Sequence, residues 1–394
     1  MQRFIVVGAG VSGHRAAVEL ARRAPTATIN LVSDEPGLPY DRPPLSKELL
    51  HGSKTAEEIV LSGAMSYAQN NIRYHPATRV LAIDRVAKKV VTHGGAALDY
   101  DRLLIATGSR ARQLPTTCVG DATVHYLRTL EDSMALRRQF TSGGRVVVIG
   151  GGFIGLEVAA SAVRSGCQVT ILESQPRVLS RGMPALVSEW VDRLHRAHGV
   201  VIRLSTNVSC MRRQQCATAI TGPGWEFEAD VVVVGIGAEP NVELAAEAGL
   251  EVCNGLVVDA QCRTSDPSIY GAGEVTCRPV MHGRPRRIES WKASGEQGTV
   301  AAQAMSGAAV HFDEVPSLWS DQFDANIQAI GFPDLGVTQE VLGDPNSNSW
   351  TLVSLGEDGS VIGGIAINRG RDASLLRRAV RQRADLAFMR PKVA

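Results

Sequence analysis

The stretch Phe4-Ile5-Val6-Val7-Gly8-Ala9-Gly10-Val11-Ser12-Gly13 decides the fold. An apolar run ends in a G-x-G-x-x-G turn, and the residues after it suit a helix. The pattern returns at Val146-Val147-Val148-Ile149-Gly150-Gly151-Gly152-Phe153-Ile154-Gly155. Each copy reads strand, glycine turn, helix. Such a turn lets bare backbone approach a pyrophosphate, and the helix N-terminus then faces the negative charge. One G-x-G-x-x-G alone is weak, but each copy is followed by an acidic residue at the end of its next apolar strand. Asp34 and Glu35 follow Ile29–Ser33, and Glu173 follows Val169–Leu172. At that position a carboxylate can grip a ribose diol. Two complete units imply two dinucleotides in one α/β protein with two Rossmann-like domains, and electron transfer between the two.

The chain of 394 residues fits two to three domains at ~150 residues each. Apolar content of 44% and charge of 21% are those of an ordinary globular enzyme. A net charge of +1 gives no reason to expect nucleic acid or a membrane surface as partner. No apolar run reaches the ~18 residues of a membrane span. The first strand begins within a few residues of Met1, which leaves no room for a targeting peptide, so a cytoplasmic location is expected. Seven scattered cysteines (118, 167, 210, 216, 253, 262 and 277) form no C-x-x-C and no metal-ligand spacing. They suit free thiols in a reducing compartment, and no metal is expected.

Strands are expected over Lys88–Thr92, Leu98–Ile105 and Val231–Val234, and Ile269-Tyr270-Gly271-Ala272-Gly273-Glu274-Val275 reads as another strand ending in a glycine turn. A helix is expected from Ile154 to about Ser165. After residue 312 short strand-like runs (Ile327–Ile330, Thr351–Ser354, Ile362–Ile367) lead to an Arg-rich helix from about 372, a smaller α+β domain. The expected organisation is a discontinuous first nucleotide domain (1–108 and 231–312), a second (109–230) and a C-terminal domain (313–394).

Over nearly its whole length the chain resembles the FAD-dependent, NADH-using ferredoxin reductases of bacterial oxygenase systems, relatives of the pyridine nucleotide-disulfide oxidoreductases. The residues that carry the resemblance are Pro39-Tyr40-Asp41-Arg42-Pro43-Pro44-Leu45-Ser46-Lys47, Gly151-Gly152-Phe153-Ile154-Gly155-Leu156-Glu157, Arg287-Ile288-Glu289-Ser290-Trp291 and Trp319-Ser320-Asp321-Gln322. The resemblance implies an FAD domain interrupted by an NAD domain and followed by a C-terminal reductase domain. It assigns FAD to the first fingerprint, with Gly8, Gly10, Ser12 and Gly13 at the pyrophosphate and Asp34 or Glu35 near the adenosine ribose. Arg42, Lys47, Val80, Thr107, Gly108, Arg128, Gly273, Glu274 and Trp291 would line the rest of the flavin nucleotide. Glu274 departs from the family's aspartate, so the ribitol contact is expected to be remodelled or made through water.

The resemblance assigns NADH to Gly150, Gly152, Phe153, Ile154, Gly155, Glu173, Gly235, Ile236 and Gly237, with Trp319 on the nicotinamide side or at the exit edge of the flavin ring. Glu173 favours NADH, because a carboxylate accepts from a 2′-hydroxyl and repels a 2′-phosphate. Arg177 and Arg181 lie close enough in sequence to offer that phosphate a cation. The resemblance also brings Lys47 and Glu157 together beside the flavin ring as the catalytic pair. A cation there stabilises negative charge on the reduced ring, and the glutamate positions it. For a random Lys and Glu the default is a solvated pair; here the flanking motifs favour the functional reading. Trp291 and Trp319 have core packing as their default. His14 reads as a packed histidine without chemistry.

Hydride from NADH to the flavin is the implied first half-reaction. The related disulfide reductases pass electrons to a cysteine pair after the first helix, and this chain has none there. It also lacks the cysteines of an internal cluster, so the expected outlet is a separate [2Fe–2S] ferredoxin serving a Rieske-type oxygenase or a cytochrome P450. Basic residues from Arg369 to Lys392 are a candidate docking face, with Arg284, Arg286 and Arg287 as the other; the default for such a run is a solvated helix face. Two other readings share the scaffold. One is a reductase of a small acceptor (quinone, oxygen or ascorbate radical). The other is an NADH-responsive flavoprotein resembling apoptosis-inducing factor. A monomer or homodimer suits all three.

Overall fold

The computed structural model describes residues 1–279 and 285–390. Arg284 and Lys392 lie outside the described residues. The chain forms two compact units, each gathered from three segments: Met1–Asp41, Glu57–Arg110 and Glu239–Pro316 in the first, and Arg42–Ala56, Ala111–Ala238 and Ser317–Ala394 in the second.

The first unit is built on a five-stranded parallel sheet. Arg3–Val7 lies at its centre between Thr28–Val32 and Arg102–Ile105, with Ile72–His75 and Ile269–Gly271 outside them. Strands covered on both faces read as continuous apolar runs rather than alternations, as in Phe4–Val7. One face meets the helix Val11–Arg23, which buries Ala16, Ala17 and Leu20 on a helical stripe. The helix Trp291–Met305 packs beside it, so closely that a Cβ on Gly298 would lie 2.1 Å from the Ser12 carbonyl oxygen. Leu98–Ile105, expected as one strand, is two. Ala97–Asp99 closes an antiparallel hairpin, and Arg102–Ile105 enters the parallel sheet. Between them Tyr100 is fully buried, and Asp101 accepts from the backbone and guanidinium of Arg3.

In the second unit Arg145–Ile149 is flanked by Gln168–Leu172 and Val231–Val234, with Val201–Arg203 at the edge, all parallel. Val231–Val234, which the sequence reading puts at the start of the returning FAD segment, therefore completes the second sheet, and this unit continues to Ala238. Four consecutive buried valines suit an interior parallel strand.

The same unit carries a five-stranded antiparallel sheet in the order Ser317–Gln322, Ala325–Gly331, Val361–Ile367, Trp350–Leu355, Thr338–Gly343. The helix Gly370–Gln382 lies on it through Ala373, Leu376 and Ala379–Val380. Gly364 makes room: a Cβ there would sit 2.6 Å from a Leu376 methyl. Trp190, from the helix Ala185–Ala197, donates from Nε1 to the Ser347 carbonyl at 3.0 Å and ties this sheet to the nucleotide-type half of the unit. No helix among the described residues is long and apolar enough to cross a membrane.

Candidate functional site

In the first unit the glycine turn is held by contacts that exclude side chains. Gly8 has φ +102°, and a Cβ on Gly13 would sit 1.8 Å from the Gly8 carbonyl oxygen. Gly10 has open space where its Cβ would be. It is also the N-cap of the following helix, which has no side-chain cap and no acidic residue in its first turn. The first N–H groups of that helix thus find no acceptor in the cap. Ser12 Oγ is buried without a hydrogen-bond partner, as are Ser294 Oγ and Gln297 Nε2 on the neighbouring helix. Gln297 already accepts from the Gly273 amide (2.9 Å) and the Thr276 hydroxyl (3.1 Å). Orphaned donors around an open, uncapped turn fit a dinucleotide phosphate. Ser294 and Gln297 were missed in the sequence. The signal was the helix beginning at Trp291, whose N-cap Ser290 accepts from the Ala293 amide at 3.2 Å.

The other residues expected around FAD divide between the units. In the first, Asp34 is exposed, whereas the Glu35 carboxylate is oriented by the Tyr40 hydroxyl, which donates to it. Thr107 Oγ1 donates to the Asn241 carbonyl and Asn241 Nδ2 donates back to that of Thr107, both at 2.8 Å, beside Gly108 at φ +66°. Val80 is half-buried at a strand start. Trp291 Nε1 donates to Asp41 Oδ1 at 2.9 Å, and the Arg15 guanidinium lies over its ring. Gly273, at φ +88°, packs against Ser12. The longer Glu274 side chain reaches Ser109, whose hydroxyl donates to its carboxylate at 2.8 Å. His14 is a packed histidine: its ring meets the Tyr67 hydroxyl at 2.7 Å, and desolvation lowers its pKa to about 4. Arg42 and Arg128 belong to the second unit, where Arg42 donates to the Arg128 carbonyl at 2.6 Å.

The second fingerprint repeats the geometry. Gly150 has φ +108° with Gly235 O 2.4 Å from where a Cβ would be, and a Cβ on Gly155 would lie 2.1 Å from Gly150 O. Gly152 caps the helix Phe153–Arg164 without a side-chain acceptor; Phe153 is half-buried and Ile154 exposed at its start. Glu173 is buried and holds the turn itself. Its Oε2 accepts from the Gly151 amide at 2.5 Å and its Oε1 from the Gln175 amide at 2.8 Å. Ile236 packs on the apolar cluster under the sheet, and Gly237, at φ +113°, lies against the Arg181 guanidinium. Arg177 is consumed by structure, donating to the carbonyls of Met183 and Ser180 and to Ser188 Oγ. Arg181 is exposed.

Lys47 and Glu157 meet within the second unit. The Pro-stiffened turn Pro43–Ser46 delivers Lys47, and Glu157 comes from the first turns of the helix after the glycines. Both are buried. Lys47 Nζ lies 3.8 Å from Glu157 Oε1, 3.5 Å from Asp321 Oδ2 and 5.1 Å from the centre of the Trp319 ring. Both oxygens are farther than an ordinary N–H···O bond, so the ammonium is balanced between two carboxylates rather than locked onto one. Glu157 accepts from Ser46 Oγ and from Ser320 Oγ. Burial pushes its pKa up, while Lys47 and the two hydroxyls pull the other way. A buried cation held this loosely is electrostatically strong, because little water screens it.

With this geometry in view, the comparisons identify the lineage. The family model for pyridine nucleotide-disulphide oxidoreductases matches residues 2–298, and a reductase C-terminal model matches residues 317–390. The chain belongs to the pyridine nucleotide-disulphide oxidoreductase family. It is 43% identical over 381 residues to the ferredoxin–NAD(+) reductase component of the anthranilate 1,2-dioxygenase system of Burkholderia cepacia, covering 96% of this chain and 93% of the relative. It is 40% identical to putidaredoxin reductase of Pseudomonas putida, covering 84% and 80% of the two chains. Among solved structures it resembles a covalent putidaredoxin reductase–putidaredoxin complex, with a TM-score of 0.94 at 34% identity over 99% of this chain and 96% of that one.

Proposed function

We propose that this protein is an NADH-dependent ferredoxin reductase with one FAD, passing electrons to a separate [2Fe–2S] ferredoxin of an oxygenase system. The observation that carries the reading is the paired glycine turns. Each has an uncapped helix N-terminus, and the first is ringed by the orphaned Ser12, Ser294 and Gln297 donors. The relatives named as ferredoxin reductases support the acceptor. A flavin supplies the link between a two-electron hydride donor and a one-electron acceptor.

The chain's own residues do the rest. In this reading the turn at Gly8–Gly13 and Ser12 hold the FAD pyrophosphate, and the turn at Gly150–Gly155 holds that of NADH. Lys47 supplies positive charge to the reduced ring, and Glu157 sets its position. The sequence has no cysteine before Cys118, so no dithiol follows the first helix as an internal outlet.

Ferredoxin dependence tests the reading. NADH-driven cytochrome c reduction should require an added [2Fe–2S] ferredoxin and should slow several-fold as salt rises from about 0.05 to 0.5 M, because exposed charges are screened over ~10 Å at 0.1 M. NADH–ferricyanide activity should change little. Among the basic residues of the tail, Arg369 and Arg383 pair with Asp372 and Asp358, and Arg377 is half-buried. Arg378, whose guanidinium lies over the Phe388 ring, and Arg381, which is likewise engaged within the protein, are exposed one helical turn apart. Replacing both with Glu should weaken ferredoxin reduction and leave ferricyanide reduction intact. Full turnover with a quinone and no ferredoxin would favour the small-acceptor reading instead.

Glu173 should set coenzyme choice. NADH should be preferred over NADPH, and Glu173→Ala should narrow the preference by ~1–3 kcal/mol, the scale of one charged contact. NADPH should improve through lost repulsion, and NADH should weaken because the Gly151 amide loses its acceptor. Steady-state kcat/KM for both coenzymes measures this. Equal use of the two by the unaltered protein would overturn the argument from Glu173.

A further inference from the structure

Behind Glu157 the polar contacts continue into the second unit. Ser320 Oγ, 2.5 Å from Glu157 Oε1, accepts from Gln322 Nε2 at 2.9 Å. Gln322 Oε1 lies 2.9 Å from His195 Nε2. Ser320, Gln322 and His195 are all fully buried. Strand geometry places Ser320 and Gln322 on one face of Ser317–Gln322, two residues apart, and His195 comes from the helix Ala185–Ala197. The imidazole is wedged edge-on against Phe323, which is stacked in turn on the exposed His198.

The direction of this chain follows from donor and acceptor chemistry. A carboxamide oxygen only accepts, so His195 Nε2 must carry a proton and donate to Gln322. The Gln322 NH2 then donates to Ser320 Oγ, which leaves the Ser320 proton for Glu157. Every donor points toward the carboxylate. Reversing the amide would turn the Ser320 hydroxyl away and strip Glu157 of one of its two hydroxyl donors. His195 Nδ1 is buried with no hydrogen-bond partner, so nothing stabilises the other tautomer or the doubly protonated ring. Desolvation correspondingly lowers the ring's pKa to about 4 and keeps it neutral at working pH. Aligned donors also polarise one another, so the last bond to the carboxylate is the strengthened one.

We propose that His195, Gln322 and Ser320 are positioning residues that orient a hydrogen bond onto Glu157, keeping its carboxylate ionised and directed at Lys47. The inference rests on the reading that Lys47 and Glu157 serve the redox site, and it assigns a role to three buried residues linked to that pair through Glu157. A proton relay is not implied: the Gln322 amide orients and does not conduct. Lys47, from the preceding turn, and Asp321, from the strand, are the charged groups that face Glu157.

The test reads Glu157 itself. Infrared difference spectra of the holoprotein across pH, with the Glu157 band identified by its loss in Glu157→Gln, give the protonation midpoint. Ser320→Ala should raise that midpoint by about one pKa unit or more, the worth of one hydrogen bond to a charged acceptor. His195→Leu should raise it in the same direction. His195→Gln, which returns an N–H donor near the Nε2 position, should restore it. An unmoved midpoint in folded Ser320→Ala and His195→Leu would overturn the proposal. Should those variants fail to fold, the unaltered protein still decides: nitrogen NMR of His195 at pH 6 should show a neutral ring protonated at Nε2, and an Nδ1–H or charged ring would refute the chain's direction. Failure of the redox reading looks different: Lys47→Met would leave flavin reduction unchanged while Ser320→Ala still shifted the Glu157 midpoint.

Discussion

Gly155→Val is expected to abolish productive NADH binding while the purified protein stays yellow. A single Cβ at residue 155 would fall 2.1 Å from Gly150 O and 3.3 Å from Val148 Cγ1. Valine adds two methyls to that clash, so the helix Phe153–Arg164 must move off the strand. The N–H groups that would face the pyrophosphate move with it. Losing two charge-assisted hydrogen bonds at ~1.5–3 kcal/mol each weakens NADH by roughly 10²-fold or more. Gly13→Val is the mirror experiment. There a Cβ would lie 1.8 Å from Gly8 O, and the expected result is a colourless protein that takes up no flavin. Flavin absorbance and NADH titration of the two variants separate the sites. Loss of flavin in Gly155→Val, or tight NADH binding by it, would contradict assigning the coenzymes to separate turns.

These two glycines show what was legible in the chain and why. The close approach of helix to strand is a local event, written within ten residues of sequence, so strand, turn and helix could all be placed from it. The run Val231–Val234 was equally clear as a strand, but its membership in the second sheet was not. Four valines state that a strand is buried and do not name its neighbours. Leu98–Ile105 misled for a related reason. Leu98-Asp99-Tyr100-Asp101 alternates apolar and charged residues as a strand does, and only the partner Arg3, far off in the chain, shows that the strand breaks there. Glu274 could be seen to differ from the expected aspartate, but its reach to Ser109 depends on a turn that brings residues 109 and 274 together. The least legible part was the chain behind Glu157. His195, Gln322 and Ser320 are individually ordinary, and they converge over separations of 127 and 163 residues.

Lys47→Met should lower the midpoint potential of the bound flavin and slow its reduction by NADH, with little change in flavin content. The side chain is buried, and its ammonium is shared between Glu157 and Asp321 at distances that leave it able to answer a new negative charge. Methionine keeps the length and apolar stem, so the change is mainly electrostatic. Removing one such interaction costs ~1.5–3 kcal/mol, equivalent to roughly 30–60 mV for a two-electron couple. Where the charge is felt more strongly in the transition state than in the product, the rate falls by up to ~10²–10³-fold. Glu157, left buried without its cation, should take up a proton, since burial already pushes its pKa upward. That response separates this variant from Glu157→Gln, in which the lysine keeps its charge but loses one of its two anchors. Glu157→Gln should therefore alter the rate while leaving more of the potential in place, and Lys47→Arg should retain most of both. Spectroelectrochemical titration and stopped-flow flavin bleaching give the two quantities. A Lys47→Met protein with normal potential and normal bleaching rate would show that the buried pair serves folding alone.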